Sequence, residues 1–402
     1  MLRPIGTRLH APAFWNERGL LSGMLMPFSI VYGAAVRLVE ACASPPKIAA
    51  APVVCIGSVL VGGAGKTPVA LALAQRLATN RPRLSVHFLS RGYGGTAGDS
   101  GGGPLRVNIE EHDAALVGDE PLLLAAAAPT WIGARRCDTA AAACASGAQL
   151  LLMDDGLQHK TLHRDFSLLC VDSSFLLGNG RLLPAGPLRE PAERGYAKAD
   201  AVVAVVPFAA CDELFGSDSS SGSDSSNGGG SGGGSGGGSG SSGSSSSHDE
   251  ASAPSEAELR ERLALLESLP LLRALFQPEP AAAARLARQR VVAFSGTARP
   301  QRFFDTLGAL GCAFACAPYA LPDHAPIDAP TLDALRREAR SHDALLVTTS
   351  KDAARLTVEQ RVGVCVLPMT LQWFNGAEQV LDELLAPLFD SELCNVHGGR
   401  AP

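Results

Sequence analysis

The sequence predicts an α/β protein, with a parallel sheet covered by helices, an apolar helix ahead of it and a second, smaller α/β unit behind it. Three observations lead there. Short apolar runs alternate with helical stretches, the pattern of strands buried on both faces by crossover helices. Hydrophobic residues make up 46% of the 402, enough for a core and against global disorder. One glycine-rich loop joins a strand to a helix, as a phosphate site requires.

At ~100–200 residues per domain, the length suits two or three domains. The expected segments are a membrane-associated helical segment at 1–47, a P-loop domain at 48–215, a Gly/Ser-rich insertion at 216–250, and a linker helix with the smaller α/β domain at 251–402. The formal charge of −6 argues against a general nucleic-acid binder. The ten cysteines form no CxxC pair, so they read as scattered small residues of a reducing compartment. Only five lysines occur, at 47, 66, 160, 198 and 351, so a lysine in a special place draws notice.

Leu20 to Val36 carries no charge, but it is short for a membrane span and is interrupted by Pro27 and two glycines. Arg3, Arg8, Arg18, Arg37 and Lys47 surround it against Glu17 and Glu40, a local basic excess suited to anionic headgroups. Three readings are open: a secretory signal ending at Ala41-Cys42-Ala43, a buried helix, or a helix lying in the membrane interface. The third agrees best with the local charge and with Trp15 and Tyr32 near the ends.

Val53–Gly57 reads as a buried parallel strand and Pro68–Leu77 as the helix after it. Val86–Ser90, Leu150–Met153, Ser167–Val171 and Ala201–Val206 read as further strands. Ser217–Ser247 is almost pure Gly and Ser and cannot bury apolar surface, so a linker is expected. An amphipathic helix is expected over Glu256–Leu269, stopped by Pro270. Val291–Phe294, Leu345–Thr348 and Val364–Leu367 read as strands of the smaller unit.

The chemistry concentrates at strand ends. Leu60-Val61-Gly62-Gly63-Ala64-Gly65-Lys66-Thr67 follows the first strand and opens a helix. Glycines let backbone N–H groups approach phosphates, and a helix N-terminus favours negative charge. Lys66 would reach the β- and γ-phosphates of ATP, and the Thr67 hydroxyl would hold Mg²⁺. The strict pattern asks for Gly where Leu60 stands. Asp154-Asp155 closes a strand beside this loop, where a carboxylate holds Mg²⁺ directly or through a neighbour. Gln158 and His159 continue that polar loop. Ser90-Arg91-Gly92-Tyr93 ends another strand, and Tyr93 and Arg91 could meet phosphate or a base, or Arg91 could simply anchor the loop. Asp119 could be a helix cap or a catalytic base. Pro184, Gly186 and Pro187 make a rigid turn that sets Arg189 and Glu190 to grip a phosphate and a hydroxyl, or to pair with each other. Asp323-His324 alone reads as a surface pair, and Thr348–Asp352 as a cap or a cleft wall.

Together GGAGKTP, SRGYGG, VGDEP, DDGLQH, GNGRLLPAGPLREP, FSGTARPQRFF, PDH and TSKDAARL resemble the tetraacyldisaccharide 4′-kinase (lipid A 4′-kinase) family, in the family's order. The resemblance implies transfer of the ATP γ-phosphoryl group to the 4′-hydroxyl of a tetraacylated glucosamine disaccharide 1-phosphate. It implies attachment to the cytoplasmic face of the inner membrane through the N-terminal helix. Carried over residue by residue, it implies Asp119 as base with His324 in support, Lys66 and Thr67 as the phosphate-loop pair, and Asp155 as the Mg²⁺-side carboxylate. Asp154, Gln158, His159, Tyr93, Arg189 and Glu190 match positions lining the cleft. Ser58 and Leu60 depart from the residues the family usually carries there. A P-loop NTPase switch or delivery protein without lipid kinase activity is the alternative. It has no need of GPLREP or PDH.

Overall fold

The computed structural model describes residues 12–99, 102–210, 256–263, 269–374 and 376–389. The Gly/Ser insertion expected at 216–250, and Arg3 and Arg8 of the basic N-terminus, lie outside these residues.

The strands, in chain order, are β1 Val53–Gly57, β2 Val86–Ser90, β3 Leu105–Arg106, β4 Thr130–Ile132, β5 Leu150–Asp154, β6 Phe166–Asp172, β7 Ala201–Pro207, β8 Leu271–Pro278, β9 Arg290–Ser295, β10 Ala313–Phe314, β11 Tyr319–Ala320, β12 Leu345–Thr349, β13 Val364–Leu367 and β14 Met369–Trp373. Nine of them form one sheet in the order β14-β8-β7-β6-β1-β5-β2-β4-β3. Its interior is parallel, and only the outermost pairs, β14 with β8 and β3 with β4, run antiparallel. β1, β5 and β6 are buried throughout, as strands covered on both faces must be. The helix Lys66–Asn80 buries Val69, Leu73 and Leu77 on one face of this sheet, beside Val54, Phe88, Leu152 and Leu168.

The smaller sheet takes β10, β9, β12 and β13 in parallel, with β11 also on β9. Phe303 and Phe304 fill one side of it, and Leu332 and Leu335 the other. The chain leaves the large sheet after β8 and returns to it at β14, the neighbouring strand. At that junction the Glu279 N–H donates to the Pro368 carbonyl at 2.9 Å. The linker helix runs over Glu256–Leu263, and Leu269 lies outside it.

Ahead of the sheet stand two helices, α1 Leu20–Met24 and α2 Met26–Ala41. Their inward face is small and polar. Ser22 donates to the Ala185 carbonyl (2.6 Å) and Ser29 to the Leu182 carbonyl (2.9 Å). Gly33 lies so close to Leu182 that a Cβ there would sit 2.9 Å from its Cδ1. The large apolar residues point outward instead: Phe28, Ile30 and Val31 are 64–69% exposed. Among the described residues no helix is long and apolar enough to cross a membrane.

Candidate active site

The site lies at the C-terminal ends of β1, β2 and β5, where open α/β sheets bind ligands. Past β1, Leu60 is fully buried and bridges to Leu188. The Val61 N–H donates to Pro187 (2.9 Å), and the Arg189 N–H donates to Val59 (2.8 Å). Leu60 and Val61, expected to line the nucleotide, are thus stitched by backbone to the 187–189 loop. That explains why an apolar residue occupies a position where the strict motif has glycine. Gly62 turns the chain, and Ala64 donates back to it at 2.8 Å. Gly65 has φ +82°, and a Cβ there would approach Val205 to 3.0 Å, so both conformation and space demand glycine. The helix then begins at Lys66, with Pro68 in its first turn.

Lys66 Nζ lies 3.0 Å from Asp155 Oδ1. Arg189 Nη1 donates to the same carboxylate at 3.0 and 3.1 Å and to Gln158 Oε1 at 3.2 Å. Burial would raise the Asp155 pKa, but Lys66 and Arg189 outweigh it and hold the group below the usual aspartate value. The Thr67 hydroxyl donates to Asp154 Oδ2 at 2.9 Å. Thr67 therefore meets Asp154, while Asp155, its expected companion, is held by the two cations. Asp154 Oδ1 is buried without a hydrogen-bond partner. Burial, then the charge of Glu120, pushes the Asp154 carboxyl up to about 7. An orphaned carboxylate oxygen beside a hydroxyl fits a hard divalent cation such as Mg²⁺. Among the described residues no cluster of three or more His, Cys, Asp or Glu side chains gathers for a metal. Mg²⁺ needs none, because it keeps waters and phosphate oxygens as ligands.

Gln158 Nε2 donates to Ser58 O (2.9 Å) and to Glu190 Oε1 (3.0 Å). Glu190 is buried and paired with Lys198. Lys198 reaches Glu40 of α2 at 2.9 Å, and Glu40 also pairs with Arg194. The Tyr32 hydroxyl, from the same helix, donates to the Arg189 carbonyl at 3.0 Å. Arg189 and Glu190 therefore do not pair with each other directly; Gln158 links them, and each has its own charged partner, Asp155 for Arg189 and Lys198 for Glu190. His159 hydrogen-bonds to Thr161 (2.8 Å), not to the Asp155 carboxylate. Burial, with Arg136 and Arg164 nearby, lowers its pKa to about 4.

Asp119 stands at the start of the helix Asp119–Ala125, whose N-cap is Gly118. By these bounds Asp119 is not the cap residue, yet its Oδ1 still accepts a first-turn N–H, that of Glu120. Gly118 has φ +90°, and a Cβ there would lie 2.6 Å from Tyr93 O, so the turn is built around its absence. Asp119 is 2% exposed. Its Oδ1 accepts the Glu120 N–H (2.9 Å) and lies 3.1 Å from His324 Nδ1. Its buried Oδ2 has no hydrogen-bond partner, with Arg355 Nε at 3.6 Å. Burial raises the Asp119 pKa, but His324, Lys351 and Arg355 outweigh burial and lower it. Tyr93 meets the His324 ring edge to face, with centroids 5.3 Å apart. His324 comes from the smaller unit; it keeps a longer contact with Asp323 (3.6 Å) and also reaches Asp119 across the cleft.

Sequence reasoning missed Glu120, Arg355, Tyr32, Glu40 and Lys198, and left Lys351 open. The signal available was scarcity: three of the five lysines, Lys66, Lys198 and Lys351, stand in or beside this site.

A cradle for phosphates facing a buried carboxylate paired with an imidazole defines a phosphoryl-transfer protein of the P-loop class. The family model described as tetraacyldisaccharide-1-P 4′-kinase matches residues 21–227 and 239–388. A tetraacyldisaccharide 4′-kinase of Rhodospirillum centenum is 41% identical over 96% of this chain and 98% of its own. One of Paramagnetospirillum magneticum is 39% identical over 95% and 98%. A solved structure of LpxK from Aquifex aeolicus in complex with ATP shares the fold, with TM-score 0.62 and 22% identity over 92% of this chain and all of that one. The chain belongs to the tetraacyldisaccharide-1-P 4′-kinase family.

Proposed function

We propose that this kinase moves the γ-phosphoryl group of ATP to the 4′-hydroxyl of a tetraacyldisaccharide 1-phosphate, with Mg²⁺, at the cytoplasmic face of the inner membrane. The carrying observation is the Asp119–His324 contact, which joins two units beside the phosphate loop. The curated relatives bear the lipid kinase name, and the Aquifex structure holds ATP.

Phosphoryl transfer needs positioning and charge neutralisation more than covalent help. The backbone of Gly62–Gly65 and the helix start receive the phosphates. Lys66 turns from Asp155 to the β- and γ-phosphate oxygens. Arg189, oriented by Asp155 and Gln158, supplies a second cation at the same end. Thr67 and Asp154 offer oxygen donors to Mg²⁺, which when bound neutralises phosphate charge. Asp119, ionised and hydrogen-bonded by His324, takes the proton of the attacking hydroxyl. The site is complete only when both units meet, which limits ATP hydrolysis in the absence of the acceptor. The outward apolar face of α1 and α2 suits the membrane interface in which an acylated acceptor resides. A switch protein would have no use for the Asp–His pair, so that alternative is not favoured.

The test is phosphate transfer from γ-labelled ATP, with Mg²⁺, to a tetraacyldisaccharide 1-phosphate in mixed micelles. Label on the lipid is expected. ATP hydrolysis indifferent to lipid would defeat the reading.

A further inference from the structure

Lys351 stands where no part of the mechanism above uses it. It sits on the short helix Ser350–Ala354 after β12, partly buried, its side chain 19% exposed. Its Nζ lies 3.1 Å from His324 Nε2, 3.2 Å from Glu120 Oε1 and 3.6 Å from Asp323 Oδ1. His324 thus has Asp119 on Nδ1, while on Nε2 it has Lys351 within hydrogen-bond distance and the Asp323 carboxylate farther off at 3.6 Å. An ammonium has three donors and no acceptor. The nitrogen facing it must offer a lone pair, so Nε2 carries no proton. The one proton of the neutral ring is then on Nδ1, where it donates to Asp119 Oδ1.

The reverse arrangement, a neutral lysine accepting from Nε2–H, conflicts with the charges around it. Burial lowers the lysine pKa, but Glu120, Asp119 and Asp323 outweigh burial and raise it. A doubly protonated ring would set Nε2–H against the ammonium. The charged groups facing this ring and the lysine are Asp119 and Glu120 from one helix, Asp323 from the neighbouring loop, and Arg355.

We propose that Lys351 is a positioning residue that locks His324 in its Nδ1–H tautomer, so that Asp119 keeps an ionised carboxylate with Oδ2 left to receive the acceptor's proton. This rests on the Asp119–His324 reading above. Lys351 also bridges the units, since Glu120 belongs to the large one and His324 to the small one.

Four measurements test it. Nitrogen NMR of the wild-type His324 ring should place the proton on Nδ1; a proton on Nε2 overturns the proposal without any variant. Lys351→Met should lower kcat about 10- to 100-fold, the usual effect of losing a group that orients a catalytic one, with the KM for ATP unchanged. Lys351→Arg, which restores a cationic donor, should recover most of kcat. In a His324→Ala background Lys351→Met should cause no further loss, since both act through one ring. A full additional loss would mean that Lys351 acts on substrate directly. If His324→Ala alone is fully active, it is the underlying reading that fails, a separate result from failure of the lysine's role.

Discussion

At the scale of single residues the site is a set of charges held by other charges. Lys66 is engaged with Asp155 and must exchange it for phosphate oxygens. Lys66→Ala should therefore lower kcat by several orders of magnitude, as losing a phosphate-clamping cation does. Near-normal labelling of the lipid by that variant would remove Lys66 from the reaction. His159 makes a separate statement about stability. Its pKa is about 4 in the fold, against about 6.5 in an unfolded chain. Between those values the unfolded chain binds more protons, so this contribution to stability is full above about pH 6.5 and fades toward pH 4. Thermal melts from pH 7 to pH 4.5 should show a smaller loss for His159→Gln than for the wild type. What the residues made legible was whatever a short motif holds together. GGAGKT with DD identified the phosphate end, because spacing along one strand-loop-helix unit fixes it. The Asp119–His324 pair, 205 positions apart, came only from the family resemblance, because no local pattern encodes a contact across a cleft. Lys351, Glu120 and Arg355 were opaque for the same reason. Thr67's choice of Asp154 over Asp155 is a matter of which face of the strand end each carboxylate takes.

At the scale of elements, α1 and α2 invert the usual amphipathic rule. Serines and glycine face the protein, and bulky apolar side chains face out. Phe28→Glu with Val31→Glu should free the protein from anionic vesicles in a sedimentation assay, while ATP binding persists. Retention on vesicles would remove the membrane role from this face. The buried central strands were legible as continuous apolar runs; Val53–Gly57 and Val86–Ser90 match their expected bounds. The strands β4, β8 and β14 were not read. β4 is only three residues long, and β8 and β14 lie at a sheet border, where Arg273 and Gln372 break the runs and four of the five residues of β14 are not fully covered. Such strands are specified by the neighbour they pair with more than by their own pattern.

For the whole molecule, the question is what holds two units in register. Glu120 with Lys351 closes one side of the cleft. On the other, fully buried Asp172 at the end of β6 pairs with Arg299 and with Arg302, the latter at 3.3 Å. Asp172→Ala would leave two partly buried guanidinium groups without that anion. Breaking a buried ion pair from one side costs about 3–5 kcal/mol, so a clear fall in Tm is expected. An unchanged melt would show that the pair adds nothing to the join.

The adjacency of β8 and β14 has a consequence for ancestry and for engineering. The smaller unit's two ends emerge side by side, tied at Glu279 and Pro368, so its gene segment reads as a cassette set into a host sheet. A cassette with neighbouring ends can be cut out, closed over with a short turn, or exchanged for a relative's without re-threading the host. Two adjacent antiparallel stems also allow swinging about one axis and resist twisting about the others, as paired door hinges do.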